Sequence, residues 1–249
     1  MKTIKFIIAL LFIANIYSCD LLNDEDNALS ESEIAEGLKS ALIVGTDTSV
    51  TTVSKADGYF KDEVIKIFLP PEADVIYDNK DNVLFETIGL DDKLDDVILS
   101  INRAAENAAN KAKPIFVSAI TSMTIVDAMD ILYGADTAAT HYLRQNTYSE
   151  LKTSFKPDMQ DALNTDIVAG VSANDTWDEL TSAYNDVANS WAGQIAGLTP
   201  VETELDDYVT GKALDGLFVK IAEEEKDIRK NPLARVNDIL KKVFALLDN

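Results

Sequence analysis

The sequence has few of the residue types from which active sites and metal sites are commonly built. Its 249 residues include one cysteine, Cys19, and one histidine, His141. A single cysteine excludes a disulfide within the chain, and one cysteine with one histidine cannot supply the usual zinc ligand sets. A Ser-His-Asp triad would depend wholly on His141, and no nucleophile-elbow sequence accompanies it. We therefore predict no catalytic residue, no metal site and no cofactor.

Basic residues are scarce relative to acidic ones. The chain has 22 lysines and arginines against 43 aspartates and glutamates, which gives a formal net charge of −21. Nucleic acids and anionic lipid surfaces both repel a chain with this charge, so we expect no nucleic-acid partner. Long apolar runs are missing as well. No segment after residue 18 has eighteen consecutive apolar residues, so the sequence predicts no membrane-spanning helix there.

Glycine and proline are infrequent, with 10 and 6 residues, and they fall where helices are expected to end. Strand-like alternation of apolar and polar residues is also scarce. Apolar residues instead recur at positions i, i+3, i+4 and i+7, which line one side of an α-helix. The predicted fold class is therefore all-α.

The clearest helical pattern is an eleven-residue apolar repeat. Its three rounds are Leu94, Val97, Ile98 and Ile101; Ala105, Ala108, Ala109 and Ala112; and Phe116, Ala119, Ile120 and Met123. Such a repeat keeps one side of a helix facing the same way, and its alanine round lets a neighbouring helix approach closely. We predict a multi-helix bundle around one long central helix over about residues 91–123. We expect a kink near Asn110, because Pro114 lacks the N–H that would bond the Asn110 carbonyl.

Short sequence signals predict where other elements begin. Thr124 and Thr147 are each followed three residues later by an acidic residue, which is the spacing of a capping box. Thr199 followed by Pro200 predicts a third helix start, because proline is favoured in the first turn. Residues 64–69 precede two prolines and are predicted to be extended or weakly helical rather than a regular helix.

The N-terminus has the features of an export signal. Lys2 and Lys5 precede a short apolar core at residues 6–13, and the small residue Ser18 stands just before Cys19. This pattern is typical of a secretory signal peptide, here cleaved between Ser18 and Cys19. A cysteine directly after the cut resembles the signal of bacterial lipoproteins, which implies that Cys19 is lipidated. The alternative is a secreted chain with one free thiol.

The predicted organisation has three parts: a signal peptide at residues 1–18, a lipidated acidic tether at residues 19–29, and a single helical domain at residues 30–249. Removal of the signal peptide takes away two lysines and no acidic residue, which changes the net charge from −21 to −23. The tether is either a solvated linker or, because acidic residues follow the cysteine, a sorting signal.

Several stretches of the chain resemble one family of exported bacterial proteins. The most specific stretch is residues 207–218, with the sequence DYVTGKALDGLF. That stretch is part of a longer one at residues 207–244, and the others lie at residues 38–69, 102–106, 113–116, 123–134 and 139–144. Together they resemble the domain of unknown function 4197. The resemblance implies the fold and export, and it brings no activity, substrate or catalytic residue.

One carboxylate is a candidate for an inward-facing site. Counting back from Leu214 and Ile221 in steps of seven places Asp207 on the side of the core, with Thr210 beside it. Either the helix has left the core by that point, or the carboxylate faces inward and needs a partner. The candidate partners are Arg103, Arg144 and Arg235.

Large aromatic residues form a second candidate. Trp177, Tyr184 and Trp191 are predicted to share one side of a helix, either in the core or as a stacking surface for a sugar or a peptide. Exposure of both tryptophans would favour the stacking surface. His141 is predicted to lie at the protein surface, opposite the apolar side of its helix.

The sequence predicts a lipid-anchored protein of the bacterial cell envelope, at the outer membrane and facing the periplasm or the cell surface. Its expected partners are the lipid bilayer, through acylated Cys19, and an envelope protein or ligand of unknown identity, with the oligomeric state left open. The predicted role is non-catalytic binding or scaffolding. Two alternatives remain: a carboxylate-dependent hydrolase acting on envelope material, and a divalent-cation binder. A cavity with two carboxylates and a polar floor would favour the hydrolase, and an exposed apolar groove would favour binding.

Overall fold

The computed structural model describes residues 29–74, 90–168, 171–235 and 238–248 of the chain. The predicted signal peptide, the cleavage site between Ser18 and Cys19, and residues 19–28 of the tether lie outside the described residues. The chain divides into two units, Met1–Ser30 and Glu31–Asn249. All of the secondary structure given below belongs to the second unit.

The described part of the chain is mainly helical, which confirms the predicted all-α fold. The helices are α1 (Glu31–Val53), α2 (Leu90–Ala109), α3 (Ala112–Ser122), α4 (Ile125–Leu132), α5 (Ala138–Leu163), α6 (Ala173–Ala188), α7 (Trp191–Ala196), α8 (Leu205–Lys230) and α9 (Asp238–Phe244). Two very short strands, β1 (Asp166–Val168) and β2 (Val171–Ser172), pair antiparallel between α5 and α6. This strand pair was not predicted from the sequence.

The predicted central helix is α2 followed by α3. The sequence predicted a kink near Asn110 within one helix, whereas the structure has a two-residue break there, at Asn110 and Lys111. The Lys113 N–H donates to the Asn110 carbonyl at 3.4 Å across this break. The alanines of the middle round are fully buried: Ala105, Ala108, Ala109 and Ala112. The first half packs against α5 and α8, and the second half packs against α1 and α5. The described part of the stretch therefore has the buried position that its repeat predicts, and the side chain of Leu94 lies outside the described residues.

The longest helices, α5 and α8, share the centre of the bundle with α2 and α3. Their mutual contact is the most extensive between any two helices of the described chain, and α1 packs along α8 on the other side. Aromatic rings fill the junction, where the Phe116 and Phe218 centroids are 5.9 Å apart in an edge-to-face arrangement. Tyr148 stacks on the same Phe218 ring at 6.4 Å. Such pairs stabilise a core beyond the area that they bury.

Helix starts follow the sequence signals in one case and depart from them in two. Thr124 caps α4 in a complete capping box with Asp127, as predicted. Thr147 does not start a helix, because its hydroxyl donates to the Leu143 carbonyl within the continuous α5. The helix predicted to start at Thr199 begins instead at Leu205.

Within the described residues, no single helix has both the length and the apolarity needed to cross a bilayer, although α3 and α4 would pass that test together as a pair bent by 106°.

Candidate functional site

A buried carboxylate on α2 fixes the turn that follows α1. Glu106 Oε1 accepts hydrogen bonds from the backbone N–H groups of Tyr59 and Phe60, at 3.1 and 3.2 Å. Its Oε2 accepts from Arg103 Nη1 at 2.6 Å, and Nη2 of the same arginine reaches Asp57 Oδ1 at 2.6 Å. Asp57 has a φ of +69°, in the left-handed region that turns use. Arg103, a predicted site residue, therefore bridges two carboxylates in a structural clamp.

A second side chain of α2 holds the segment that follows this turn. The amide of Asn102 accepts from the Ile67 N–H at 2.9 Å and donates to the Ile67 carbonyl at 2.8 Å. Asn102 is fully buried. Because its amide binds both the N–H and the carbonyl of Ile67, it makes the pair of hydrogen bonds that a neighbouring strand would make. Residues 64–69, which were predicted to be extended or weakly helical, belong to no helix. Ile65 and Ile67 point into the core, whereas Val64 and Phe68 face solvent with 68% and 56% of their area exposed.

A cleft of about 250 Å³ separates this segment from α8. Gly216 sets the approach of the two walls, because a Cβ there would lie 2.9 Å from Tyr59 Cε1 and 3.1 Å from Ile65 Cβ. The Tyr59 hydroxyl donates to the Ala213 carbonyl at 2.8 Å, which joins the turn after α1 to α8. The cleft is lined by Val64, Ile65, Lys66, Ile67, Phe68, Tyr208, Lys212, Asp215, Gly216 and Val219. We refer to it as the 64–68/α8 cleft.

This cleft is positively charged although the chain is strongly acidic. Lys66 Nζ lies 4.4 Å from the Phe60 ring centroid and 5.4 Å from that of Phe68, and Lys212 Nζ lies 5.5 Å from the Tyr208 centroid. Neither lysine forms an ion pair with a carboxylate of the described residues. The one acidic residue in the lining, Asp215, is already paired with Arg144 Nη2 at 2.5 Å. The cleft therefore combines two cationic side chains with exposed apolar and aromatic surface.

Asp207 does not face inward, so the inward alternative is wrong. The other alternative is wrong as well, because α8 has not left the core there: Leu205 and Val209 are buried. The Asp207 carboxylate is exposed and accepts from Lys152 Nζ at 2.8 Å and Lys156 Nζ at 3.2 Å. The hydrogen bond from Lys152 has the largest effect on the pKa of Asp207, and together with that from Lys156 it holds this pKa below its usual value. In the first turn of α8 the buried acidic residue is Asp206, whose carboxylate accepts a hydrogen bond from Gln160 Nε2 at 2.7 Å. Asp207 lies at the edge of the buried side of α8. Counting in steps of seven therefore could not tell whether Asp206 or Asp207 is the buried residue.

The other predicted partners of Asp207 lie elsewhere. Thr210 is fully buried, but its hydroxyl donates to the Asp206 carbonyl within α8. Arg144 binds Asp215, as described above. Arg235 is buried, donates to the carbonyls of Ile228 and Arg229 at the end of α8, and binds Asp248 through both Nη atoms. The three arginines therefore serve three separate structural sites.

One buried ion pair was missed at the sequence level. Glu225 and Arg229 are both buried on α8, with Oε1 and Nη2 2.9 Å apart. Their spacing of four residues was visible in the sequence, but exposed pairs on helices have the same spacing. Only the tertiary structure shows that this pair is enclosed.

The aromatic candidates do not form one surface. Trp177 and Tyr184 are buried on α6, and the Trp177 indole donates to the Thr203 carbonyl at 3.0 Å. Trp191 is 80% exposed, because α6 ends at Ala188 and Trp191 begins the separate helix α7. His141 is exposed, as the sequence predicted.

A second cleft, of about 400 Å³, is polar. Its lining comprises Gln160, Asn164, Asn174, Trp177, Asp178, Thr181, Val201, Glu202, Thr203, Glu204, Leu205 and Asp206. The buried carboxylate among them, Asp206, is held by Gln160 and lies 3.4 Å from Lys156 Nζ. Two clefts of different chemistry are therefore present: one combines apolar and basic side chains, and the other is polar and acidic.

Among the described residues, no group of three or more histidine, cysteine, aspartate or glutamate side chains is arranged to hold a metal ion. Comparison with curated protein sequences gives no match, and comparison with solved structures gives none either. A family model does match, over residues 28–245, which is nearly all of the chain that follows the predicted signal and tether. The chain therefore belongs to the family described as protein of unknown function DUF4197.

Proposed function

We propose that the protein is a non-catalytic binding protein of the bacterial cell envelope, attached to the bilayer through an acylated Cys19. The observation that carries the binding role is the 64–68/α8 cleft. Its apolar side chains are exposed in a fixed geometry, because Asn102 binds the backbone of Ile67 and Glu106 binds the backbone of the preceding turn at Tyr59. Side chains with large exposed apolar area in a concave setting are typical of sites that a partner covers.

The charge of the cleft supports one class of occupant. Lys66 and Lys212 lie beside aromatic rings and have no acidic partner in the described chain. A protein segment with an apolar side chain next to a carboxylate would fill the cleft and neutralise these lysines. We therefore propose an acidic, apolar segment of an envelope protein as the partner.

An anionic aromatic dye, 8-anilinonaphthalene-1-sulfonate, tests the cleft directly. We expect Val64→Asp to weaken dye binding about tenfold, because it places a negative charge and removes apolar area in the cleft. Val126→Asp is the matched control, since Val126 is equally exposed, at 68%, but lies on α4. Equal dye binding by the two variants would contradict the proposal.

The anchoring part has its own test. Each buried CH₂ of an acyl chain contributes about 0.8 kcal/mol, so a multiply acylated cysteine gives stable attachment. We expect the native chain in the membrane fraction of lysed cells and the Cys19→Ala chain to be released from it. Identical fractionation of the two chains would exclude the anchor without affecting the cleft.

The polar cleft supports the hydrolase alternative as a second candidate. It places Asp178, Glu202 and Asp206 around amide and hydroxyl side chains. Under this alternative, the purified protein releases soluble fragments from peptidoglycan, and Asp178→Asn or Asp206→Asn stops the release. Absence of any release by the native protein would leave the binding role as the better account. The divalent-cation alternative predicts a higher melting temperature in calcium, which a melting curve measures.

A further inference from the structure

The corner between α6 and α7 carries a small exposed apolar surface whose residues line neither of the two clefts. Ser190 caps α7 by accepting from the Gly193 N–H at 3.1 Å. Gly193 makes the corner tight, because a Cβ there would lie 2.1 Å from the Val187 carbonyl oxygen. α7 ends at Ala196, and Gly197, which caps it, has a φ of +76°. The corner therefore has a defined conformation.

The exposed residues of this corner are large and apolar. Trp191 and Ile195 lie one helical turn apart on α7, with 80% and 68% of their area exposed. Val187, near the end of α6, has 40% of its area exposed. No charged residue occurs from Val187 to Val201, although 26% of the whole chain is charged. Two independent properties, exposure of large apolar side chains and absence of charge, thus coincide at one place.

We propose that this corner inserts Trp191 and Ile195 into the interfacial region of a zwitterionic lipid bilayer. Tryptophan is favoured at this depth because its ring is apolar and its N–H remains near water. The main free-energy cost of membrane contact is the dehydration of charged groups, and residues 187–201 contain none. The net charge of −21 disfavours an anionic surface, so the lipid class is zwitterionic. The proposal does not depend on the cleft or on acylation.

Other exposed apolar residues of the described chain lack this combination. Val126 is as exposed as Ile195, but Asp127 and Asp130 lie on the same short helix. Leu233 is 91% exposed, but Lys230, three residues before it, has 55% of its side-chain area exposed. Charged neighbours of this kind would lose hydration at a lipid surface. The corner is therefore the described apolar surface that best fits a bilayer.

Tryptophan fluorescence with phosphatidylcholine vesicles tests the inference. All proteins carry Cys19→Ala, so that acylation does not contribute, and the vesicles contain lipids brominated in their acyl chains. Because Trp177 is buried, we expect bromine to quench only Trp191 emission, and Trp191→Phe to abolish the quenching. Ile195→Asp should lower the partition coefficient roughly tenfold, whereas the matched control Val126→Asp should leave it unchanged.

Three results would overturn the inference. The first is an absence of quenching in the parent chain, and the second is equal quenching in the parent and Trp191→Phe chains. The third is self-association in the absence of vesicles that Ile195→Asp removes, measured by sedimentation, because the corner would then contact a second copy of the chain.

Discussion

Glu225 and Arg229 lie one turn apart on α8 and join two helices to which neither belongs. Glu225 accepts from the N–H groups of Ala139 and Thr140 at the start of α5, at 3.0 and 2.8 Å. Arg229 donates to the carbonyls of Leu132 and Ile131 at the end of α4, at 3.0 and 2.7 Å. The pair therefore satisfies backbone groups that both helix ends leave open.

Loss of this carboxylate should destabilise the fold strongly. Glu225→Ala leaves a buried guanidinium and two buried N–H groups without their partner, which costs about 3–5 kcal/mol in free energy of unfolding. Glu223→Ala is the control, because Glu223 makes only a surface pair with Lys220 and should cost less than about 1 kcal/mol. Urea denaturation at pH 7 measures both. Similar midpoints for the two variants would show that the buried pair does not hold the helix ends.

Removal of the Asn102 amide should release the wall of the 64–68/α8 cleft. Asn102→Ala leaves the Ile67 N–H and carbonyl without their partner, which costs roughly 1–3 kcal/mol. We expect hydrogen exchange at the Ile67 amide to accelerate more than exchange at Leu214 in α8. The control is Asn146→Ala, because the Asn146 side chain is exposed and bonds only within its own helix. Unchanged exchange at Ile67 would contradict the role of Asn102.

Close packing around the alanine round makes it intolerant of larger residues. Ala108→Leu inserts three carbons where α2 meets α5 and α8, and overpacking of this kind costs about 1–3 kcal/mol. Asn107→Leu changes the neighbouring exposed position and should be tolerated. Thermal unfolding followed by circular dichroism compares the two chains. An unchanged melting temperature for Ala108→Leu would show that space remains at this position.

Acid should weaken the turn that leads into the cleft. Burial raises the pKa of Asp62, but hydrogen bonds from Lys220 and from the Val64 and Ile65 N–H groups outweigh burial and leave the pKa below its usual value. A carboxylate with a lowered pKa stabilises the fold above about pH 4, the value in the unfolded chain, and this contribution is lost as pH falls through the folded-state pKa.

Asp62→Asn should therefore lower the free energy of unfolding at pH 7 and make it depend less on pH below about pH 4. Urea denaturation at a series of pH values measures this dependence. The same dependence in the native and variant chains would show that Asp62 does not contribute to it.

The parts of the fold that depend on local chemistry could be predicted from the sequence. The buried alanines follow from their spacing, and the capping box at Thr124 follows from its two side chains. Pro114 predicted where the long helix is interrupted, although the interruption is a break and not the expected kink. Thr147 misled the prediction because its hydroxyl can bond either a helix start or the preceding turn, and the packing of α5 decides between them.

The candidate site depends on tertiary contacts that the sequence does not show. Helical spacing could not place Asp206 rather than Asp207 inside, because both lie near the edge of the buried side of α8. The cleft requires Asn102 on one helix and Gly216 on another to position residues 64–68. Asn102 lies 35 positions from Ile67, and Gly216 lies more than a hundred positions from both, so no local pattern connects them.

Photocrosslinking in intact cells tests the binding role most directly. A benzophenone amino acid replaces Phe68 in the cleft or Val126 on α4, in an otherwise native chain and in one that carries Lys66→Glu and Lys212→Glu. The account predicts a discrete adduct from position 68 that position 126 does not give and that the two charge reversals weaken. No adduct from position 68, or the same adducts from both positions, would contradict it.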